Sequence, residues 1–169
     1  MARWILWLAG VGCAASLASA PAAAAPTQSA TVKASVVKPL VLTWMQDFTL
    51  GDILLKPGTW TGATVSLSRT GAFSCPNSNV TCSGIVRVAR YQVTGSNNQI
   101  VRVSAPNVTL INQSDNSKRL TLTVDNPGTV TIPNSGQPGV IFGLGGSIVL
   151  ASTTAEGVYA GTFNVTVDY

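Results

Sequence analysis

Gly157 to Tyr169 reads GVYAGTFNVTVDY, and the placing of this stretch decides the architecture. From Thr162 the residues alternate. Phe163, Val165, Val167 and Tyr169 share one side; Thr162, Asn164, Thr166 and Asp168 share the other. A period of two, filled with β-branched and aromatic residues, is the pattern of a half-buried strand. Read as the last strand of a domain, it has two possible settings. Either it lies inside a finished sheet, or it borders a gap that another segment fills.

The rest of the chain has the same character. Of 169 residues, 9% are charged and 46% hydrophobic, with 16 Gly and 9 Pro. That balance fits an all-β secreted or surface protein better than a cytosolic enzyme. Alternating runs recur at Leu40 to Met45, Ala63 to Thr70, Ile85 to Thr94, Gln99 to Ala105, Asn107 to Gln113 and Arg119 to Asp125. Turn residues separate them, among them Lys56-Pro57-Gly58, Gly95 to Asn98, Ser114 to Ser117 and Asn126-Pro127-Gly128. The phase of the Ile85 to Thr94 run slips near Ala89, Arg90 and Tyr91, and Phe48 and Leu50 are expected inward. The glycines of Gly143 to Gly146 read as a bend or bulge between strands. No run has a helical period, and no repeat is visible. The pattern predicts one all-β domain over residues 40–169, an antiparallel Ig-like β-sandwich, with a barrel as the alternative.

Residues 1–24 read as a signal peptide. Arg3 supplies the positive end, Trp4 to Leu17 the apolar run, and Ala22 to Ala24 the small residues for cleavage. Residues 25–39 form an N-terminal extension, in which Val32, Ala34 and Val36 alternate with Lys33 and Ser35. An exported chain, delivered to the periplasm and then to the cell surface or beyond, is the expectation. No membrane insertion of the mature chain is expected, because the apolar run is short and rich in Gly, Ala and Ser. Removing the signal leaves Cys75 and Cys82, an even count that argues for a disulfide in an oxidising compartment.

Candidate chemistry is sparse. There is no His, which removes the commonest general base and the commonest metal ligand. Asp47 and Asp52 flank one turn and admit a reading as a carboxylate pair, but aspartate favours turns for its local hydrogen bonding. Asp115 and Asp125 also sit in turns. No nucleophile motif and no phosphate loop is present. Arg87, Arg90 and Arg102 with Tyr91 read as a solvated sheet face, or as a basic aromatic face for an acidic glycan or nucleic acid. The net charge of +4 is scattered, which gives little support for nucleic-acid binding. No catalytic residue, cofactor or metal site is expected, and the chain is not expected to be an enzyme.

Two stretches carry a resemblance. ASVVKPLVLTWMQDFTLGDI, from Ala34 to Ile53, resembles the opening of a family of bacterial exported domains, the domain-of-unknown-function 4402 family. That family is similar in turn to spore coat protein U and the archaic chaperone–usher pilins. Asp47, Phe48, Leu50, Gly51 and Asp52 resemble its early turn. Gly157, Tyr159, Gly161, Phe163, Val165, Val167 and Tyr169 resemble its terminal signature. The chain departs from the better-known pilins in two ways: its aromatic is last rather than penultimate, and its cystine sits in mid-chain. The resemblance implies a pilin-like subunit short of one strand, which assembles by donor-strand exchange. In this mode of recognition, an extended segment joins an exposed sheet edge, as pilins do with the strand of a chaperone or a neighbour.

On that implication the donor strand carries Val32, Ala34 and Val36, and the acceptor edge carries Phe163, Val165, Val167 and Tyr169. The partners are other copies of the chain or related subunits, with a periplasmic chaperone and an outer-membrane usher. Two buried valines bring about 1.5–3 kcal/mol each, whereas ordering a residue's backbone costs about 1–2 kcal/mol. Insertion therefore depends on a costly open groove. Two other readings stay open: the extension completes its own sheet, or the chain is a monomeric secreted adhesin or glycan-binding module.

Overall fold

Val140 to Leu150 reads VIFGLGGSIVL, and it forms one uninterrupted strand around which the others are arranged. The computed structural model describes residues 27–169, so the expected signal peptide over 1–24 lies outside the described residues. Residues 27–40 carry no strand. Val36–Tyr169 form a compact unit of their own.

In chain order the strands are β1 (Val41–Gln46), β2 (Asp52–Leu55), β3 (Ala63–Leu67), β4 (Phe73–Ser74), β5 (Val80–Ser83), β6 (Ala89–Thr94), β7 (Ile100–Ser104), β8 (Val108–Asn112), β9 (Arg119–Asp125), β10 (Thr129–Thr131), β11 (Val140–Leu150), β12 (Tyr159–Ala160) and β13 (Thr166–Asp168). No helix occurs among the described residues, and every strand pair is antiparallel. The largest sheet runs β1-β6-β11-β9-β8-β12, with β3 joined to β11 and β4 to β3. A three-stranded sheet runs β10-β7-β13, and β2 pairs with β5. The all-β antiparallel expectation therefore holds.

The glycines of β11 correct the reading of a bend between strands. They lie inside the strand, and its alternation continues through them: Phe142, Leu144, Ile148 and Leu150 are buried, while Ile141 and Val149 are exposed. The first half of β11 pairs with β6, from Val140↔Val93 to Leu144↔Ala89. The second half pairs with β3, from Gly146↔Leu67 to Leu150↔Ala63. At the changeover the β3 chain passes too close for any side chain. A Cβ on Gly145 would stand 2.3 Å from the Leu67 carbonyl oxygen, and one on Gly143 2.3 Å from that of Arg69. Glycine serves here for close backbone approach.

Because one face of β11 stays inward along its whole length, it feeds two apolar clusters. Ile148 and Leu150 join Val65, Leu67, Val80, Val88, Val108 and Leu122. Phe142 and Leu144 join Ala89, Val93, Val103 and Ala105. The slip expected near Ala89 is present: Val88 and Ala89 are consecutive and both buried, one in each cluster. The β1–β6 register shifts opposite, between Trp44 and Gln46. Phe48 and Phe163 touch both clusters and meet edge to face, with ring centroids 5.7 Å apart.

The terminal stretch keeps its alternation but not its continuity. Phe163, Val165 and Val167 are half-buried, while Thr162, Asn164, Thr166 and Asp168 are exposed. The stretch is split into β12 on β8 and β13 on β7, with no ladder between. Gly95 to Asn98 is a turn, but not that of a hairpin, since β6 and β7 lie in different sheets. Ser114 to Ser117 does close a hairpin, β8–β9. There the Ser117 hydroxyl and then its amide bond to the Asp115 carboxylate and hold it below the usual carboxylate range. Cys75 and Cys82 are joined as a disulfide.

Gly145→Ala is expected to lower unfolding stability by at least the overpacking range of about 1–3 kcal/mol, because backbone atoms cannot yield as side chains do. Val149→Ala, on the exposed side of the same strand, should stay within about 0.5 kcal/mol. Urea melts of the two variants check this.

Candidate functional site

A groove of about 1030 Å³ opens beside the stretch that leads into the tail. One wall is Asp47 to Leu55, the turn after β1 together with β2. The other wall is Thr154 to Phe163, which includes β12. The floor is apolar, made of Val108, Leu110, Leu120, Leu122, Ile148 and Leu150. These residues belong to, or pack against, the first cluster, so the floor is that core seen from its open side. Leu54 and Val158 stand on the two walls, 67% and 70% exposed. Both strands in the walls are paired on one side only, β2 with β5 and β12 with β8.

The tail wall is held by a buried asparagine. Asn112, at the end of β8, is 1% exposed. Its side-chain amide donates to the Glu156 carbonyl at 2.7 Å, and its side-chain oxygen accepts from the Ser114 amide at 2.8 Å. The Gln113 amide donates to the Val158 carbonyl at 2.8 Å. Gly157 crosses over this side chain with φ +132°, and a Cβ there would stand 2.6 Å from the Asn112 amide nitrogen. The first glycine of GVYAG is thus fixed by Asn112.

The far end of the tail is held separately. The Tyr169 hydroxyl accepts from the Ser96 amide at 2.8 Å and donates to the Lys38 carbonyl at 2.5 Å. The Lys38 amide donates to the Ser96 hydroxyl at 2.6 Å. Both backbone groups of Lys38 are therefore occupied, and the root of the N-terminal extension is fixed beside the last residue.

Of the four acceptor residues expected, Phe163 lines the groove. Val165 and Val167 pack against the second cluster, and Tyr169 holds Lys38 and Ser96. Val32 and Val36 of the expected donor are 91% and 95% exposed, Ala34 is exposed, and none of the three is in a strand. Cys75 and Cys82 pack against the first cluster. Arg90 and Arg102 lie on β6 and β7 of different sheets, and Tyr91 stacks on Phe142, ring centroids 5.8 Å apart. Trp44 and Asp47 stand at one end of the groove, the indole N–H donating to the carboxylate at 3.2 Å. Burial, and then the negative charge of Asp47, push the Tyr91 phenol above its ordinary value of 10.0. Among the described residues no group of three or more Cys, Asp or Glu comes together to hold a metal ion.

A family model described as a domain of unknown function (DUF4402) matches residues 40–169. No curated protein and no solved structure matches the chain.

Asn112→Ala leaves the Glu156 carbonyl and the Ser114 amide without their side-chain partner. A loss of about 1–3 kcal/mol is expected in urea melts, as for other buried groups left unpaired. The Tyr91 phenol sets a window at alkaline pH. A folded pKa above the unfolded one means its contribution is complete below pH about 10 and is lost as pH rises through the folded value. Alkaline titration of native protein by tyrosinate absorbance should show the Tyr91 ionisation above its ordinary value. Tyr91→Phe should remove it.

Proposed function

This chain belongs to the DUF4402 family, and we propose that it is an exported surface subunit that completes its fold with a strand from another copy. On this reading the domain is an Ig-like, pilin-like sandwich lacking one strand. The chain acts by assembly and not by catalysis. The observation that carries the reading is the groove: an apolar floor between two walls whose strands are each paired on one side only.

The incoming segment is Ala30 to Val37, with Val32, Ala34 and Val36 against the floor. Its valines are exposed in the single chain, and burial would contribute about 1.5–3 kcal/mol apiece. The ordering cost of about 1–2 kcal/mol per residue outweighs this alone. The balance comes from the groove. Backbone pairing along the two walls contributes about 0.5–1.5 kcal/mol per bond, and covering Leu54, Val158 and the floor removes apolar surface from water. The acceptor is Thr154 to Phe163 together with Asp52 to Leu55. Of Phe163, Val165, Val167 and Tyr169, Phe163 alone lines the groove. Val165, Val167 and Tyr169 hold the tail in place behind it.

Export by way of residues 1–24 brings the subunit to the periplasm. A chaperone strand occupies the groove until an usher passes the subunit to its neighbour. Size measurement of the mature protein tests the reading. Ladders or fibres are expected from the wild type, and monomers from Val36→Lys, which sets a charge on the apolar floor. A peptide copying Ala30 to Leu42 should cap growth. A wild-type monomer indifferent to the peptide would overturn strand exchange.

A further inference from the structure

The groove is acidic in a chain that is otherwise basic. The sequence carries six acidic residues and a net charge of +4. Three of those six, Asp47, Asp52 and Glu156, line the groove, and no Lys or Arg lines it. All three are exposed. The single ion pair among the described residues is Arg69–Asp125, outside the groove, so these three carboxylates have no cationic partner there. The N-terminal segment has the opposite bias. Between Pro26 and Gln46 there is no acidic residue, and Lys33 and Lys38 are its charges.

Strand geometry fixes where that charge goes. If Val32, Ala34 and Val36 face the floor, a period of two turns Lys33 and Ser35 outward to the rim. We infer that the acidic mouth selects and steers the basic N-terminal segment of a second copy, setting Lys33 at a rim that carries Asp47 and Asp52 on one wall and Glu156 on the other. This rests on the strand-exchange reading above and adds to it a charge code for the partner. Apolar alternation recurs in many strands of this chain and identifies no occupant. The lysine does. Complementary rim charge acts chiefly on the rate and choice of encounter, and an acidic strand would be repelled from the same mouth.

The test follows the assembly rate of the full mature chain by light scattering, with three changes in all combinations: Lys33→Gln, the pair Asp52→Asn with Glu156→Gln, and Val36→Lys. The first two alter exposed side chains with near-isosteric ones, and thermal melts confirm that each variant is folded. At about 0.1 M salt, Lys33→Gln and the acceptor pair should each slow assembly about three- to tenfold, and the two together no more than either alone, since they remove one interaction. Raising salt to about 1 M shortens the screening length from about 10 to about 3 Å and should bring these variants and the wild type to one rate. Lys33→Gln at the wild-type rate, with Val36→Lys still blocking, overturns the charge code and leaves strand exchange standing. Additive losses overturn the pairing of Lys33 with these carboxylates. Assembly of Val36→Lys at the wild-type rate overturns strand exchange, and the charge code with it.

Discussion

One face of β11 stays inward over its full length, and most of the fold depends on that. Phe142 and Leu144 enter one apolar cluster, and Ile148 and Leu150 the other. A strand can change partners midway only if the neighbouring backbone can approach at the changeover. Gly143 and Gly145 permit it, since the carbonyls of Arg69 and Leu67 occupy the space where side chains would stand. Phe48 and Phe163 then meet edge to face where the two clusters adjoin. These two aromatics come from the early turn and from the tail, so the two ends of the domain are tied at its centre.

The groove follows from how the tail is anchored. Asn112 holds the chain at Glu156 and the Gln113 amide holds it at Val158, while Tyr169 holds it at Ser96 and Lys38. Between these points the tail makes only two short ladders, each at a sheet edge. On the proposed reading, a wall whose chain is anchored on either side of an edge strand is pre-organised for an incoming strand, so less ordering is left to binding. The opposite wall is stiffened by the β2–β5 pair and by the Thr49–Arg87 bridge. An open edge over an apolar floor is a hazard that proteins ordinarily cover. On the same proposed reading, exchange of strands between copies turns that hazard into the means of assembly.

Much of this was legible in the residues. Alternation identified β3, β8, β9 and the inward side of the tail, because a period of two needs no tertiary information. The slip at Ala89 was visible for the same reason. The glycines of β11 misled. A run of Gly signals a bend when read locally, and the cause here is the Leu67 to Arg69 backbone, far away in sequence, a separation no local pattern can carry. The groove was displaced by one element. The strongest alternation, Phe163 to Tyr169, marks the part of the tail that is already packed, whereas the open wall precedes it in a stretch of weak pattern. Asn112 escaped notice because a buried polar side chain has no sequence signature of its own. The clue was Gly157, which needs a reason for φ +132°. Asp47 and Asp52 were readable as turn residues, and only the fold sets Glu156 on the wall across from them.

Backbone hydrogen exchange, compared between assembled wild-type protein and the monomeric Val36→Lys chain, tests the central claim most directly. A strand laid into the groove pairs with both walls at once. New protection is therefore expected at amides of Asp52 to Leu55 and of Gly157 to Phe163, and over Ala30 to Val37. Protection confined to other edges, such as β1 or β10, or none on assembly, would contradict the account.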